Sequence, residues 1–205
     1  MIVRRRTVVA ASGLALAAAL AACGGGSDPG DAGMPHMSSG PAGGSGAAGD
    51  QASRAADVTF AQSMIPHHEQ AVQMADLALE NGAGDQVTRL ATQIKAAQDP
   101  EIEAMRGWLK AWGADEGMAG MDHSGTGGGM PGMMSDADLR TLAAAKGAGF
   151  DQLWLKMMIA HHQGALTMAD QVLATTTDPN VKTLAEAVVS GQTSEIDTMK
   201  GLLAG

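Results

Sequence analysis

Cysteine occurs once in this chain, at Cys23, and tyrosine does not occur at all. No intrachain disulfide can form, and chemistry that needs a nucleophilic thiol or a phenol has almost nothing to use. Two Phe and three Trp are too few to fill a core, so part of that volume falls to the 15 methionines. Basic residues are also scarce: 13 Lys and Arg against 22 Asp and Glu leave a net charge of −9, which argues against nucleic acid and anionic lipid as partners. Familiar metalloenzyme patterns are missing too. No Glu-x-x-His or Asp-x-x-His occurs, which sets aside the di-iron arrangement of helical bundles. The zinc protease pattern fails because Val72 stands where the second histidine after His68-Glu69 would be. The chain therefore reads as a binding protein and not as an enzyme.

The first 22 residues read as an export signal: Arg4, Arg5 and Arg6 precede an apolar run from Thr7 to Ala22 that is short for a membrane span. Arg5-Arg6-Thr7-Val8-Val9 loosely resembles a twin-arginine signal, so the sequence leaves the export route open. The run ends in Leu20-Ala21-Ala22-Cys23, which looks like a bacterial lipobox, so Cys23 is expected to be lipidated. More than one acyl chain at that position would hold the protein on the outer face of the cell membrane or on the periplasmic side. Removing residues 1–22 deletes three arginines and no acid, taking the net charge from −9 to −12.

Residues 23–56, built of Gly, Ser, Ala, Pro and Asp, read as a flexible tether. Beyond it a pattern is written twice. Met64-Ile65-Pro66-His67-His68 with Met74-Ala75-Asp76 recurs as Met158-Ile159-Ala160-His161-His162 with Met168-Ala169-Asp170, a spacing of 161 − 67 = 94. The same shift superposes Asp57 on Asp151, Gln98 on Gln192, Glu101-Ile102 on Glu195-Ile196 and Met105 on Met199. A whole helical unit is duplicated.

In the first unit, residues 57–112, apolar residues from Phe60 to Leu79 recur at three- and four-residue steps, with Asp57 as a natural N-cap. Asn81-Gly82-Ala83-Gly84-Asp85 breaks the pattern before a second helix that carries Val87, Leu90, Ile94, Ile102, Met105 and Leu109 on one side. Residues 113–135 form a Met- and Gly-rich linker, and residues 136–205 supply a short helical lead-in and the second hairpin, which turns at Thr175 to Pro179. Neither hairpin can bury its apolar face alone. The expected fold is all-α: a ferritin-like antiparallel four-helix bundle over residues 57–205.

Histidine is a borderline ligand and thioether a soft one, and their recurrence at helical spacing points to a thiophilic metal, Cu(I) with Ag(I) as its mimic. The candidate ligands are Met64, His67, His68 and Met74 in one copy, and Met158, His161, His162 and Met168 in the other. Folding the first hairpin brings the His67 level beside Gln98 to Met105. Met105 and Met199 join as further candidate ligands, and Gln98 and Gln192 as their supports. In the linker, Met118, Met121, His123, Met130, Met133 and Met134 sit in glycine-rich sequence, where a methionine is not expected to serve a core. Met34, His36 and Met37 repeat the theme in the tether.

The doubled Met-Ile-x-His-His with Met-Ala-Asp, the Met-Asp-His of the linker and the lipobox together resemble the bacterial domain of unknown function 305 family. The resemblance covers residues 57–205. It implies an exported ferritin-like four-helix domain and, from characterised relatives, periplasmic copper binding that extends to silver and serves copper tolerance. The resulting expectation is a lipid-anchored extracytoplasmic protein that sequesters Cu(I) or hands it to an acceptor protein. An interaction or sensing module with structural or pH-responsive histidines is the alternative, and a metal-dependent redox enzyme is a third reading.

Overall fold

A computed structural model describes residues 45–117 and 130–205. They form five helices, α1 (Ser45–Glu80), α2 (Asp85–Trp112), α3 (Asp136–Ala144), α4 (Gly147–Leu173) and α5 (Pro179–Ala204), and no strand among the described residues. The fold is an all-α helical bundle. No described helix is long and apolar enough to cross a membrane.

The helix ends follow local chemistry. Gly82 adopts φ 67° after α1, a conformation that favours glycine. Gly113 closes α2 at φ 66°, its N–H reaching the carbonyls of Leu109 and Lys110. Ser135 and Asp138 form a reciprocal capping box on α3. Asp178 caps α5 by accepting from the Asn180 N–H at 2.9 Å, with Pro179 in the first turn.

Helix α1 departs from the sequence expectation. It starts at Ser45, so Asp57 is no N-cap but a buried residue inside the helix, and the last twelve residues of the expected tether are helical. Alanines at 47, 48, 52, 55 and 56 favour helix without producing an apolar period. Tertiary contacts then hold this turn-rich sequence in place. The Ser53 hydroxyl accepts from the Thr177 N–H at 2.9 Å, and the Arg54 guanidinium lies 4.4 Å from the Trp112 ring centre and donates to Asp178 at 3.3 Å. At the start of α2, Gly84 occupies the N-cap position and has no side chain to accept with. Its N–H donates instead to the Asp151 carboxylate at 3.1 Å, across the bundle.

Helix α1 packs along α2 and α4 along α5, and the two hairpins meet mainly at the α1/α4 seam. The core divides into two apolar clusters. One holds Met64, Met105 and Met168 with Phe60, Leu109 and Val181; the other holds Met74, Met158 and Met199 with Phe150, Trp154 and Ile94. The 94-residue shift converts the first set of three methionines into the second, and each set draws on both hairpins. Because Met64 clusters with Met168 and Met74 with Met158, α1 and α4 run antiparallel. Trp154 pins this seam by donating from Nε1 to the Met74 carbonyl at 2.8 Å. Burying one such methionine contributes about 1.5–3 kcal/mol, so both sets serve the core whatever else they do.

Candidate metal centre

On α1 the histidines lie between Met64 and Met74, and on α4 between Met158 and Met168. They therefore form a layer between the two apolar clusters. All four, His67, His68, His161 and His162, are buried, with Gln98 and Gln192 beside them in sequence register on α2 and α5.

Adjacent helical residues diverge by about 100°, so the two histidines of each pair must face different neighbours. His67 and His161 meet at the seam with ring centres 3.8 Å apart. His68 instead faces α2, its Nε2 2.8 Å from Glu101 Oε2, and His162 faces α5, its Nε2 2.7 Å from Glu195 Oε2. The repeat thus survives as geometry: one central imidazole pair and two flanking histidine–carboxylate pairs.

These contacts decide which ring nitrogen is free. The Pro131 carbonyl can only accept, so His67 donates to it from Nε2 at 3.0 Å. Glu101 and Glu195, as carboxylates, likewise accept from Nε2 of their histidines. In the neutral imidazoles this leaves the lone pair on Nδ1. The Nδ1 atoms of His67, His68 and His162 are buried without a hydrogen-bond partner, and His161 has no partner at either nitrogen. A buried polar atom left unpaired typically costs about 1–3 kcal/mol, so five such nitrogens in one layer ask for a function.

Burial keeps the central pair uncharged. Desolvation lowers the His67 pKa to about 3, helped by the neighbouring His68 and partly opposed by the Pro131 carbonyl. His161 is likewise held well below the ordinary histidine value, first by burial and then by His67, His162 and His68, partly opposed by a weak contact with the His67 backbone. Neutral imidazole is the form that ligates metal.

The donor set fits a soft cation. Among the described residues no three His, Cys, Asp or Glu side chains stand together as a metal-holding group, so a metal in this layer would need methionine sulfur as well as imidazole. Met64, Met74, Met105, Met158 and Met199 are fully buried and Met168 nearly so. Met64 and Met74 are ten residues apart, about 15 Å along the helix axis, which is too far for both to ligate one ion. Glu101 and Glu195 were visible beforehand only as members of the repeat. Their role as the acceptors that orient His68 and His162 is the feature sequence reasoning missed, and their shared 94-residue offset from one another was its available signal.

The linker methionines divide. Met118, Met121 and His123 lie outside the described residues, as do Cys23, Met34, His36 and Met37. Met130, Met133 and Met134 are partly buried, and Met134 packs against the cluster that holds Trp154. The expectation that these methionines serve no core is therefore corrected for Met134: the end of the linker is folded onto the bundle. Met130 and Met168 also line a cleft of about 500 Å³ together with Phe60, Ser63, Pro131 and Thr175.

An all-α bundle with a buried histidine layer between two methionine clusters defines a class of duplicated helical-hairpin proteins. The chain belongs to the family described as domain of unknown function DUF305, whose model matches residues 57–203. A DUF305 protein of Streptomyces coelicolor, assigned to the secreted class, is 35% identical, with 73% of this chain and 92% of that chain covered and a TM-score of 0.66. CopM in its Cu(I)-bound form is 30% identical, with 71% and 94% covered and a TM-score of 0.59; it has also been solved with Cu(II) and with Ag. The uncharacterized protein L153 of Acanthamoeba polyphaga mimivirus is 38% identical over 53 residues, which is 26% of this chain and 35% of the viral protein.

Proposed function

We propose that this protein is a non-catalytic binder of Cu(I), taking Ag(I) as a mimic, that works outside the cytoplasm to sequester copper or pass it on. The observation that carries this reading is the histidine layer, in which buried imidazole nitrogens without partners lie between two sets of three methionines. Three features favour a monovalent soft ion. Burial holds the central imidazoles His67 and His161 uncharged, two carboxylates flank the layer to offset a buried positive charge, and thioethers need no deprotonation. The likeness to CopM, solved with Cu(I), Cu(II) and Ag, supports the same choice.

We assign Met64, His67, His68, Met74, Met158, His161, His162 and Met168 as ligands, with Met105 and Met199 completing the two thioether sets. The separation of those sets supports two metal positions, one on each side of the layer. The export signal and the relative assigned to the secreted class support an extracytoplasmic location, and the lipobox at Cys23 supports a lipid anchor.

Titration of the mature protein with Cu(I), Ag(I) and Zn(II) against competing chelators tests the assignment. Tight binding of Cu(I) and Ag(I) at two equivalents, with Zn(II) at least a hundredfold weaker on the affinity scale, is the expected outcome, a gap of about 2.7 kcal/mol. Retention of none of the three would favour a sensing or interaction module with structural histidines.

A further inference from the structure

Beside the histidines the two copies of the repeat differ at Pro66/Ala160, Glu69/Gln163 and Gln70/Gly164, and the last of these pairs is the one that touches the linker. Both residues hold the same piece of backbone, the end of the linker. Met130-Pro131-Gly132-Met133 is a turn closed by the Met133 N–H on the Met130 carbonyl at 3.2 Å, with proline second and glycine third at φ 77°, the combination of a type II turn. This turn crosses α4 where only glycine leaves room. A Cβ on Gly164 would stand 1.9 Å from the Pro131 carbonyl oxygen, and a Cβ on Gly132 would stand 2.6 Å from the Ala160 carbonyl oxygen. From α1, the Gln70 amide clasps the next residues from both sides, donating to the Met134 carbonyl at 2.9 Å and accepting the Met134 N–H at 2.7 Å.

The crossing ends at a histidine. With the turn seated against Gly164, the Pro131 carbonyl meets His67 Nε2, whereas His161, the counterpart of His67, takes no hydrogen bond from the turn and has only a weak contact with the His67 backbone. A single strap crosses the bundle once, so it can serve only one of the two central histidines. That explains why one repeat position has become a clasp in one copy and a gap in the other.

We propose that Met130–Met134 is a positioning strap, clamped by Gln70 and Gly164, that fixes the tautomer and orientation of His67 so that its Nδ1 is presented as a ligand atom, while His161 receives no such hydrogen bond from the strap. The proposal rests on the metal-site reading for what that Nδ1 is presented to. The two central histidines are then inequivalent despite the repeat: His67 is a fixed donor, and His161, packed against it with ring centres 3.8 Å apart, takes its orientation from the bundle and not from the strap.

The test uses the full chain with Gly164→Ala and Gln70→Ala. Gly107→Ala serves as control, because a Cβ there meets nothing within 4 Å. The first readout is the ¹⁵N NMR pattern of the imidazoles in metal-free protein at neutral pH; the second is Ag(I) affinity by competition. Wild type and Gly107→Ala should show His67 as the Nε2–H tautomer alone. Gly164→Ala should lift the strap, and Gln70→Ala should loosen it, giving mixed tautomers and Ag(I) binding weaker by about tenfold, with helicity retained. A single Nε2–H tautomer for His67 and unchanged Ag(I) affinity in both variants would overturn the proposal. Should Gly164→Ala fail to fold, Gln70→Ala decides alone, since it removes two hydrogen bonds at a half-buried site and no core volume. Failure of wild type to bind Ag(I) would sink the metal reading, whereas the tautomer of His67 still decides whether the strap sets it.

Discussion

Replacing His67, His68, His161 and His162 together with Gln should weaken Cu(I) binding by well over tenfold, more than about 1.4 kcal/mol per site, while the bundle remains helical. The geometry explains why both halves of that result are expected. Each flanking Gln can still donate its amide N–H to Glu101 or Glu195, and a Gln at 67 can still reach toward the Pro131 carbonyl, so the hydrogen bonds that stitch the layer survive in part. What disappears is the set of Nδ1 lone pairs, which an amide does not replace as a ligand for a soft ion. Circular dichroism and a Cu(I) competition titration on the same sample separate the two effects. Unchanged affinity would assign the histidines to structure alone.

The metal-free protein should lose stability in mild acid. His67 has a folded pKa of about 3 against an ordinary value of 6.5, so between those values the unfolded chain takes up a proton that the folded protein excludes. The stability this histidine contributes is complete above about pH 6.5 and falls as the pH drops toward 3. At pH 5 the loss from His67 is roughly 2 kcal/mol. His161, depressed in the same direction by burial, adds to it. Chemical denaturation of metal-free protein at pH 7 and pH 5 should show this drop, and His67→Gln with His161→Gln should flatten it. An equally steep acid loss in that double variant would place its origin in carboxylates elsewhere.

Much of the bundle and of its histidine layer could be read from the chain, because a duplication displays its own constraints. The hairpin turn at Asp178-Pro179, the end of α2 at Trp112 and the placement of the His67 level of α1 beside the Gln98–Met105 stretch, where His68 meets Glu101, all followed from period and repeat. The start of α1 did not, since small residues between Ser45 and Asp57 carry helix propensity without an apolar rhythm, and their contacts to Thr177, Asp178 and Trp112 come from the far end of the chain. The pairing of methionines was hidden for a related reason. Spacing on one helix groups Met64 with Met74, but antiparallel packing groups Met64 with Met168 and sends Met74 to the opposite cluster. Composition misled most at Met134, where glycine-rich sequence suggested a linker without a packing role. Glycine there permits the close crossing at Gly164 that brings the strap onto the core.

X-ray absorption at the copper edge of the Cu(I)-loaded protein tests the central claim most directly, because it reports which atoms touch the metal. The account predicts a mixed first shell of imidazole nitrogen and thioether sulfur, with the nitrogen contribution lost when His67, His68, His161 and His162 are all Gln. A shell of sulfur alone in the wild-type protein, unchanged by those substitutions, would contradict it and move copper away from the histidine layer.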